Sequence, residues 1–89
     1  MSAKRKLVYV IVDRDNEGRA PIRGIYLSWK KALQALDKMG RSDNYYYGNH
    51  IDVHEVGGQI VVCCADEAPY NHETKRRDGP MWQPSKALR

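Results

Sequence analysis

The chain has 89 residues, enough for a single small domain, and its apolar fraction of 42% is below the roughly 45–50% of ordinary globular proteins. No apolar run is long enough to cross a bilayer, so we expect no membrane-spanning helix, no secretory leader and a cytoplasmic location. The formal net charge is +4, and residues 75–89 account for all of it with five basic side chains and one acidic one, whereas residues 7–74 hold seven basic and ten acidic ones.

The first predicted elements are two strands joined as a hairpin. Residues 7–12 read LVYVIV, and six consecutive β-favouring residues predict a strand that is buried on both faces. The charged stretch that follows ends in a turn signal at Gly18. Residues 22–27 then predict the return strand, and Pro21 suits its first position.

An amphipathic helix is predicted over Trp29–Met39. Ser28 provides an N-cap hydroxyl, and Gly40 provides the C-terminal stop. The apolar side chains recur at helical spacing, and the opposite face is polar. The apolar positions are Trp29, Ala32, Leu33, Leu36 and Met39, and the lysines of the polar face are Lys30, Lys31 and Lys38.

Two more strands are predicted over residues 45–56 and 59–65, because Gly57 and Gly58 between them indicate a tight hairpin. A two-residue turn sets Val53 opposite Val62 and His54 opposite Val61. This register sorts the side chains into two faces. One face, predicted to meet the helix, holds Ile51, Val53, Ile60, Val62 and Cys64, and the other holds Asp52, His54, Val56, Val61 and Cys63.

The elements together predict an α+β fold in the order β-β-α-β-β, with an antiparallel sheet, one helix on one face and a C-terminal extension. We expect residues 1–66 to form the domain and residues 67–89 to form a basic, proline-containing and largely irregular tail. One helix covers one face, so the other should keep an apolar strip. Three partners could cover this strip: a second copy of the chain in a homodimer, a different binding partner, or the tail itself. The tail would fold back through Tyr70, Met81 and Trp82.

Residues His50, Asp52 and His54 alternate along one predicted strand, and the register sets Cys63 beside them. These are zinc-ligand types, and a Cys–His pair is also a nucleophile with its base. However, His50 and His54 would lie about 13 Å apart, too far to share one ion. We therefore expect an ordinary half-exposed sheet face, no metal, no cofactor and no enzymatic activity, with a metal or thiol site as the alternative.

Three consecutive tyrosines, Tyr45, Tyr46 and Tyr47, form a candidate partner-binding site. Adjacent rings on a strand edge or loop cannot all point inward, and tyrosine is enriched at protein interfaces. Rings near cations also stack nucleic-acid bases. The alternative is that Tyr45 and Tyr47 pack inward while Tyr46 covers the sheet.

The tail carries a second candidate contact region, formed by Lys75, Arg76 and Arg77 with Trp82 downstream. This composition is typical of a segment that becomes ordered on an acidic partner. The alternative is a solvated C-terminus. If nucleic acid is the partner, Lys30, Lys31 and Lys38 on the helix would add to the same basic surface.

The order of motifs in the first half of the chain resembles a type of small uncharacterised protein found in phages and mobile elements. The motifs are Tyr9-Val10-Ile11, an acidic loop, Gly24-Ile25-Tyr26, and Ser28 followed by Lys31-Ala32. The resemblance covers about residues 7–56 and omits the tail. It implies a fold and a context, in which such proteins bind and block or redirect a host complex, including antiviral nucleases, in the host cytoplasm.

Two functions therefore remain at this point. The first is a non-enzymatic protein that binds and inhibits or modulates a host protein or protein–nucleic-acid complex, with binding that depends weakly on salt. The second is a small DNA- or RNA-binding regulator, with binding that falls steeply as salt rises. We favour the first, because the central part of the chain is acidic.

Overall fold

The computed structural model describes residues 6–15, 17–42, 47–68 and 70–84. They form an α+β fold, as predicted, with a four-stranded antiparallel sheet in the order β2-β1-β3-β4 and a separate two-stranded sheet. The elements in chain order are β1 (Leu7–Arg14), β2 (Ile22–Tyr26), α1 (Trp29–Met39), β3 (Gly48–Glu55), β4 (Ile60–Val62), β5 (Tyr70–Asn71) and β6 (Arg76–Arg77). The α1 helix is too short to span a membrane, and no other helix in these ranges could do so.

Strand β1 occupies the centre of the sheet, which explains its uninterrupted apolar sequence. It pairs with β2 on one side and with β3 on the other, where Ile11 lies opposite Ile51. Both isoleucines are fully buried. A strand with neighbours on both sides and apolar residues on both faces needs no alternation of polar positions, so the prediction for this segment is confirmed.

Helix α1 begins and ends at the predicted residues. The Ser28 hydroxyl accepts a hydrogen bond from the Lys31 backbone N–H, and Gly40, with φ of 93°, donates its N–H to the Leu36 carbonyl. Ala32 and Leu36 are buried against the sheet, and the three lysines of the outer face are exposed. The buried core contains Leu7, Tyr9, Ile11, Ala32, Leu36, Ile51, Val53 and Ala65.

The register between β3 and β4 agrees with the prediction at Val53 and differs from it between Val53 and the turn. Val53 lies opposite Val62, as expected, but His54 lies opposite Ile60 and not opposite Val61. One extra residue in β4 produces this shift, which is the signature of a β-bulge. Ile60 therefore shares a face with His54, away from the helix, and its side chain is 46% exposed.

The chain after residue 67 contains more regular structure than the sequence predicted. β5 and β6 form a short hairpin, and the Asn71 side chain accepts hydrogen bonds from the backbone N–H groups of Glu73 and Thr74 within its turn. The ring of Trp82 then lies 5.3 Å from that of Trp29 and 6.3 Å from that of Tyr9, between ring centroids. The extension does fold back, but Trp82 packs on the helix side of the sheet and not on the opposite face.

Candidate functional site

The most unusual feature of the sheet is a group of buried polar side chains on β3. His50 is completely buried and Asp52 is 6% exposed, whereas we predicted a half-exposed face at these positions. The segment after β4 lies against β3, and its backbone N–H groups donate hydrogen bonds to that strand. Cys64 donates its N–H to the Asp52 carboxylate at 2.9 Å, and Ala65 donates its N–H to the Ile51 carbonyl at 2.7 Å.

Asp52 joins three separate segments. Both of its carboxylate oxygens accept from Nη2 of Arg14, at 2.9 and 2.7 Å, while one of them also accepts from Cys64. Burial acts to lower the pKa of Arg14, but the hydrogen bond and negative charge of Asp52 outweigh it, and the pKa is raised. The ion pair connects the end of β1 to β3, and the hydrogen bond from Cys64 connects β3 to the segment that follows β4.

His50 lies beside two further carboxylates, Asp66 and Glu67. Its Nδ1 is 3.2 Å from Asp66 Oδ2 and 3.7 Å from Glu67 Oε1. The other oxygen of Asp66 accepts the backbone N–H of Ile51 at 2.7 Å. The side chains of His50 and Asp66 are 0% and 2% exposed, and that of Glu67 is 20% exposed. We call these three residues the His50 cluster.

The hydrogen-bond partner of the second ring nitrogen, Nε2, indicates the tautomer of His50. Nε2 is 3.0 Å from the backbone carbonyl of Tyr47, and a carbonyl oxygen only accepts hydrogen bonds. Nε2 therefore carries a hydrogen and donates it. Nδ1 faces the two carboxylates, and in this tautomer its lone pair points toward them, where it can accept a proton or bind a cation.

The structure separates the four residues that the sequence suggested as an alternative metal or thiol site. Among the described residues, the clustered potential ligand atoms belong to His50, Asp66 and Glu67, and the cluster includes neither His54 nor Cys63. Asp52 is bonded to Arg14 instead. Asp66 and Glu67 were missed because they follow the last predicted strand, and only the closure of that segment over β3 brings them to His50.

A cavity of about 410 Å³ lies between the end of β4 and the tail hairpin. Its walls include the aromatic rings of Tyr70 and Trp82, the exposed Cys63, and the oppositely charged Glu67 and Arg77. Glu67 thus belongs both to the His50 cluster and to the cavity wall. The Glu67 side chain is therefore the part of the cluster that borders the cavity.

The two cysteines differ sharply in exposure. Both are thiols, with Cys63 exposed and Cys64 buried. Burial raises the pKa of Cys64 to about 11, although the charge of Arg14 acts in the opposite direction. Since the thiolate is the reactive form, Cys64 is unsuited to nucleophilic chemistry.

We expect one thiol per native chain to react with an aromatic disulfide reagent within minutes, because Cys63 is exposed and Cys64 is buried. The second should react only after denaturation. Absorbance of the released thiolate measures both stages, and Cys63→Ser is the control that should abolish the fast stage. Rapid reaction of two thiols in native protein would contradict the burial of Cys64.

The predicted tyrosine site is described only in part. Tyr45 and Tyr46 lie outside the described residues, so their predicted role stays a prediction. Tyr47 is 44% exposed, and its carbonyl accepts from Ser42 and from His50. Tyr47 is thus partly exposed to a partner, while its backbone carbonyl accepts a hydrogen bond from the His50 imidazole.

The predicted basic residues of the tail lie on the hairpin. Lys75, Arg76 and Arg77 are exposed, and the guanidinium carbon of Arg77 lies 5.9 Å from the centre of the Tyr70 ring. Lys75 occupies the turn with a positive φ of 58°. Trp82, predicted to contact a partner, is half-buried among Tyr9 and Trp29, where it contributes to the packing of the domain.

A second exposed surface, at residues not predicted to contact a partner, lies along β2 and includes Leu27 just after the strand. Ile22, Ile25 and Leu27 are 62%, 61% and 76% exposed. Ile22 and Ile25 lie opposite Val12 and Val10, on the face of the sheet away from α1. We call these three residues the β2 apolar edge. Ile22 and Ile25 are three positions apart and share a face because the pairing with β1 shifts between Ile11 and Val12. Neither this shared face nor the position of the strand at the edge of the sheet was visible in the sequence.

Comparison of the chain with protein-family models, with curated proteins and with solved structures finds no match. The resemblance to small phage-type proteins therefore stays a prediction.

Proposed function

We propose that this chain is a non-enzymatic interaction protein that binds a host protein or protein–nucleic-acid complex and inhibits or modulates it. The observation that carries the proposal is the β2 apolar edge, where three large aliphatic side chains are each more than 60% exposed. Burying such a side chain contributes about 1.5–3 kcal/mol, so a partner that covers this surface gains binding free energy. The phage-type resemblance implies the same kind of role.

The backbone of β2 strengthens this proposal. Within the described ranges, β2 pairs only with β1, so its outer side presents main-chain N–H and C=O groups to the surroundings. Edge strands of this kind accept an additional strand from a partner, with main-chain hydrogen bonds providing affinity and neighbouring side chains providing specificity. Charged residues on an edge strand oppose the addition of another strand, and Arg23 is the one charged residue of β2.

A single charge on this edge should disrupt partner binding without disturbing the fold. We expect Ile25→Lys to reduce partner capture at least about tenfold, because a lysine on an edge strand opposes both strand addition and apolar contact. The matched control is Gln34→Lys, which places the same charge on the exposed face of α1. Affinity capture from host lysate, followed by quantitative mass spectrometry, compares the two variants with the natural chain.

Every capture is repeated after nuclease treatment, and circular dichroism verifies that both variants fold. The proposal requires a partner that survives nuclease, is retained by Gln34→Lys and is lost by Ile25→Lys. Equal capture by Ile25→Lys and the natural chain would contradict the assignment of this edge. Loss of all partners after nuclease would contradict protein binding itself.

The alternative function, a DNA- or RNA-binding regulator, is favoured by one observation on the tail hairpin. Tyr70 is 45% exposed and Arg77 lies beside its ring, with Lys75 and Arg76 in the same hairpin. An exposed ring flanked by cations is a platform on which single-stranded bases stack. In the capture experiment, Lys75→Ala with Arg76→Ala would then abolish binding that nuclease also removes, while Ile25→Lys would have no effect.

A further inference from the structure

We infer that the His50 cluster is a binding site for a divalent first-row transition cation, for which Zn²⁺ is the test ion. This inference is independent of the proposed function, because it concerns a different edge of the sheet. Imidazole nitrogen and carboxylate oxygen are both common zinc ligands. The site would contain one nitrogen and two oxygen ligands, from His50, Asp66 and Glu67.

The distances between the ligand atoms agree with a tetrahedral site. Ligands at about 2.0–2.2 Å from a tetrahedral zinc ion lie about 3.4 Å from one another. His50 Nδ1 is 3.2 Å from Asp66 Oδ2 and 3.7 Å from Glu67 Oε1. The three ligand atoms of the cluster all lie within 4.8 Å of one another. Small side-chain rotations are enough to place an ion between them.

The surroundings hold the ligands in the orientation that a metal requires. A zinc-bound histidine usually donates its other ring N–H to a carbonyl or carboxylate, and His50 Nε2 does so to Tyr47 at 3.0 Å. Metal-binding carboxylates are in turn hydrogen-bonded, and Asp66 accepts from Ile51 at 2.7 Å through the oxygen that does not face the imidazole. Two of the three ligands are thus oriented by backbone groups, His50 by the Tyr47 carbonyl and Asp66 by the Ile51 N–H.

Charge also favours a cation at this position. Asp66 and Glu67 place two carboxylates beside one buried imidazole, and the guanidinium of Arg14 pairs with Asp52. A buried carboxylate is costly unless a proton, an ion pair or a metal balances its charge. A divalent cation would balance both carboxylates together.

The cavity provides access to the site and a place for the fourth ligand. The side chain of Glu67 is 20% exposed and lines the cavity wall, whereas the side chains of His50 and Asp66 are buried. A zinc ion with three protein ligands keeps one position for water or for another ligand. Here that position would face the cavity, between the sheet and the tail hairpin. The ion would also tie β3 to the segment that follows β4.

Cobalt provides the direct test, because Co²⁺ in a tetrahedral site absorbs visible light far more strongly than hydrated Co²⁺. Tag-free protein is first treated with a chelator and then titrated with CoCl₂. We expect one Co²⁺ per chain, displacement of its absorption by ZnCl₂, and a rise in melting temperature on adding Zn²⁺, because ligand binding to the native state stabilises it. No visible absorption and no change in melting temperature for the natural chain would overturn the inference.

Variants then assign the ligands. Glu67→Gln should weaken Zn²⁺ binding at least about tenfold, and it should still fold because Glu67 is on the cavity wall. The matched control is Glu73→Gln, an exposed glutamate in the turn of the tail hairpin, which should bind as the natural chain does. Cys63→Ser should also leave binding unchanged. Binding that depends on Cys63 but not on Glu67 would overturn the assignment.

Discussion

Replacing Asp52 with alanine is expected to lower the free energy of unfolding by about 3 kcal/mol. The substitution removes a carboxylate that accepts from Arg14 at 2.7 and 2.9 Å and from the Cys64 N–H at 2.9 Å. Both donors would then remain in a largely buried environment with their principal acceptor gone. The value lies at the lower end for a broken buried ion pair, because Arg14 is 28% exposed and water reaches it in part. Urea denaturation with chelator present measures the loss.

The control for this prediction is Asp13→Ala on the same strand as Arg14. Asp13 pairs with Arg23 at 3.4 Å, and both side chains are more than 40% exposed, so the expected loss is below about 1 kcal/mol. A double-mutant cycle with Arg14→Ala isolates the contribution of the pair. If Asp52→Ala cost no more than Asp13→Ala, Asp52 would not connect the three segments as described.

Leu36→Ala is expected to lower the free energy of unfolding by about 3–4 kcal/mol. Leu36 is completely buried and belongs to the cluster through which α1 packs on β1 and β3. Truncation removes apolar contact and leaves a cavity that the rigid sheet cannot fill. A chain of 89 residues has a total stability of about 4–13 kcal/mol, so the loss is a large part of the whole.

The matched control on the same helix is Gln34→Ala, an exposed position where the expected change is within about 0.5 kcal/mol. Thermal and urea unfolding should agree on the difference between the two variants. A loss below about 1 kcal/mol for Leu36→Ala would mean that α1 contributes little to the core.

The two proposed sites lie at different places on one sheet, so their tests are independent. The β2 apolar edge is at one side of the order β2-β1-β3-β4, whereas the His50 cluster joins β3 to the segment after β4. Substitutions without shared partners generally have additive effects. Ile25→Lys should therefore leave Zn²⁺ binding intact, and Glu67→Gln should leave partner capture intact.

Local sequence signals were sufficient for the helix and for the presence of both main hairpins, but the last strand was predicted over residues 59–65 and β4 ends at Val62. Ser28, Gly40 and the apolar spacing between them determine where α1 begins and ends, because capping and amphipathicity act within a few residues. The pair Gly57 and Gly58 likewise indicated the turn before β4. The register of that hairpin was wrong beyond Val53, because a bulge depends on packing across strands and leaves no local mark.

The candidate site was only partly visible in the sequence. The alternation of His50 and Asp52 placed them on one face, which is correct, but their burial was not predicted. Burial depends on the segment that contains Asp66 closing over β3, a contact between residues about fifteen positions apart. Periodicity describes neighbours along one element and contains no information on such a contact.

The amino-acid sequence by itself determined the types of the first five elements, β1 to β4 and α1, the helix boundaries and the separation of an acidic central region from a basic end, because these follow from side-chain chemistry at short range. It did not indicate the short hairpin of β5 and β6. Only the tertiary structure decided the strand order. It placed β2 at the edge and β1 at the centre, and it brought Asp66 and Glu67 to His50. The physical reason is that strand order and the closure of the chain after β4 depend on which long-range contacts bury the most apolar surface and pair the most polar groups.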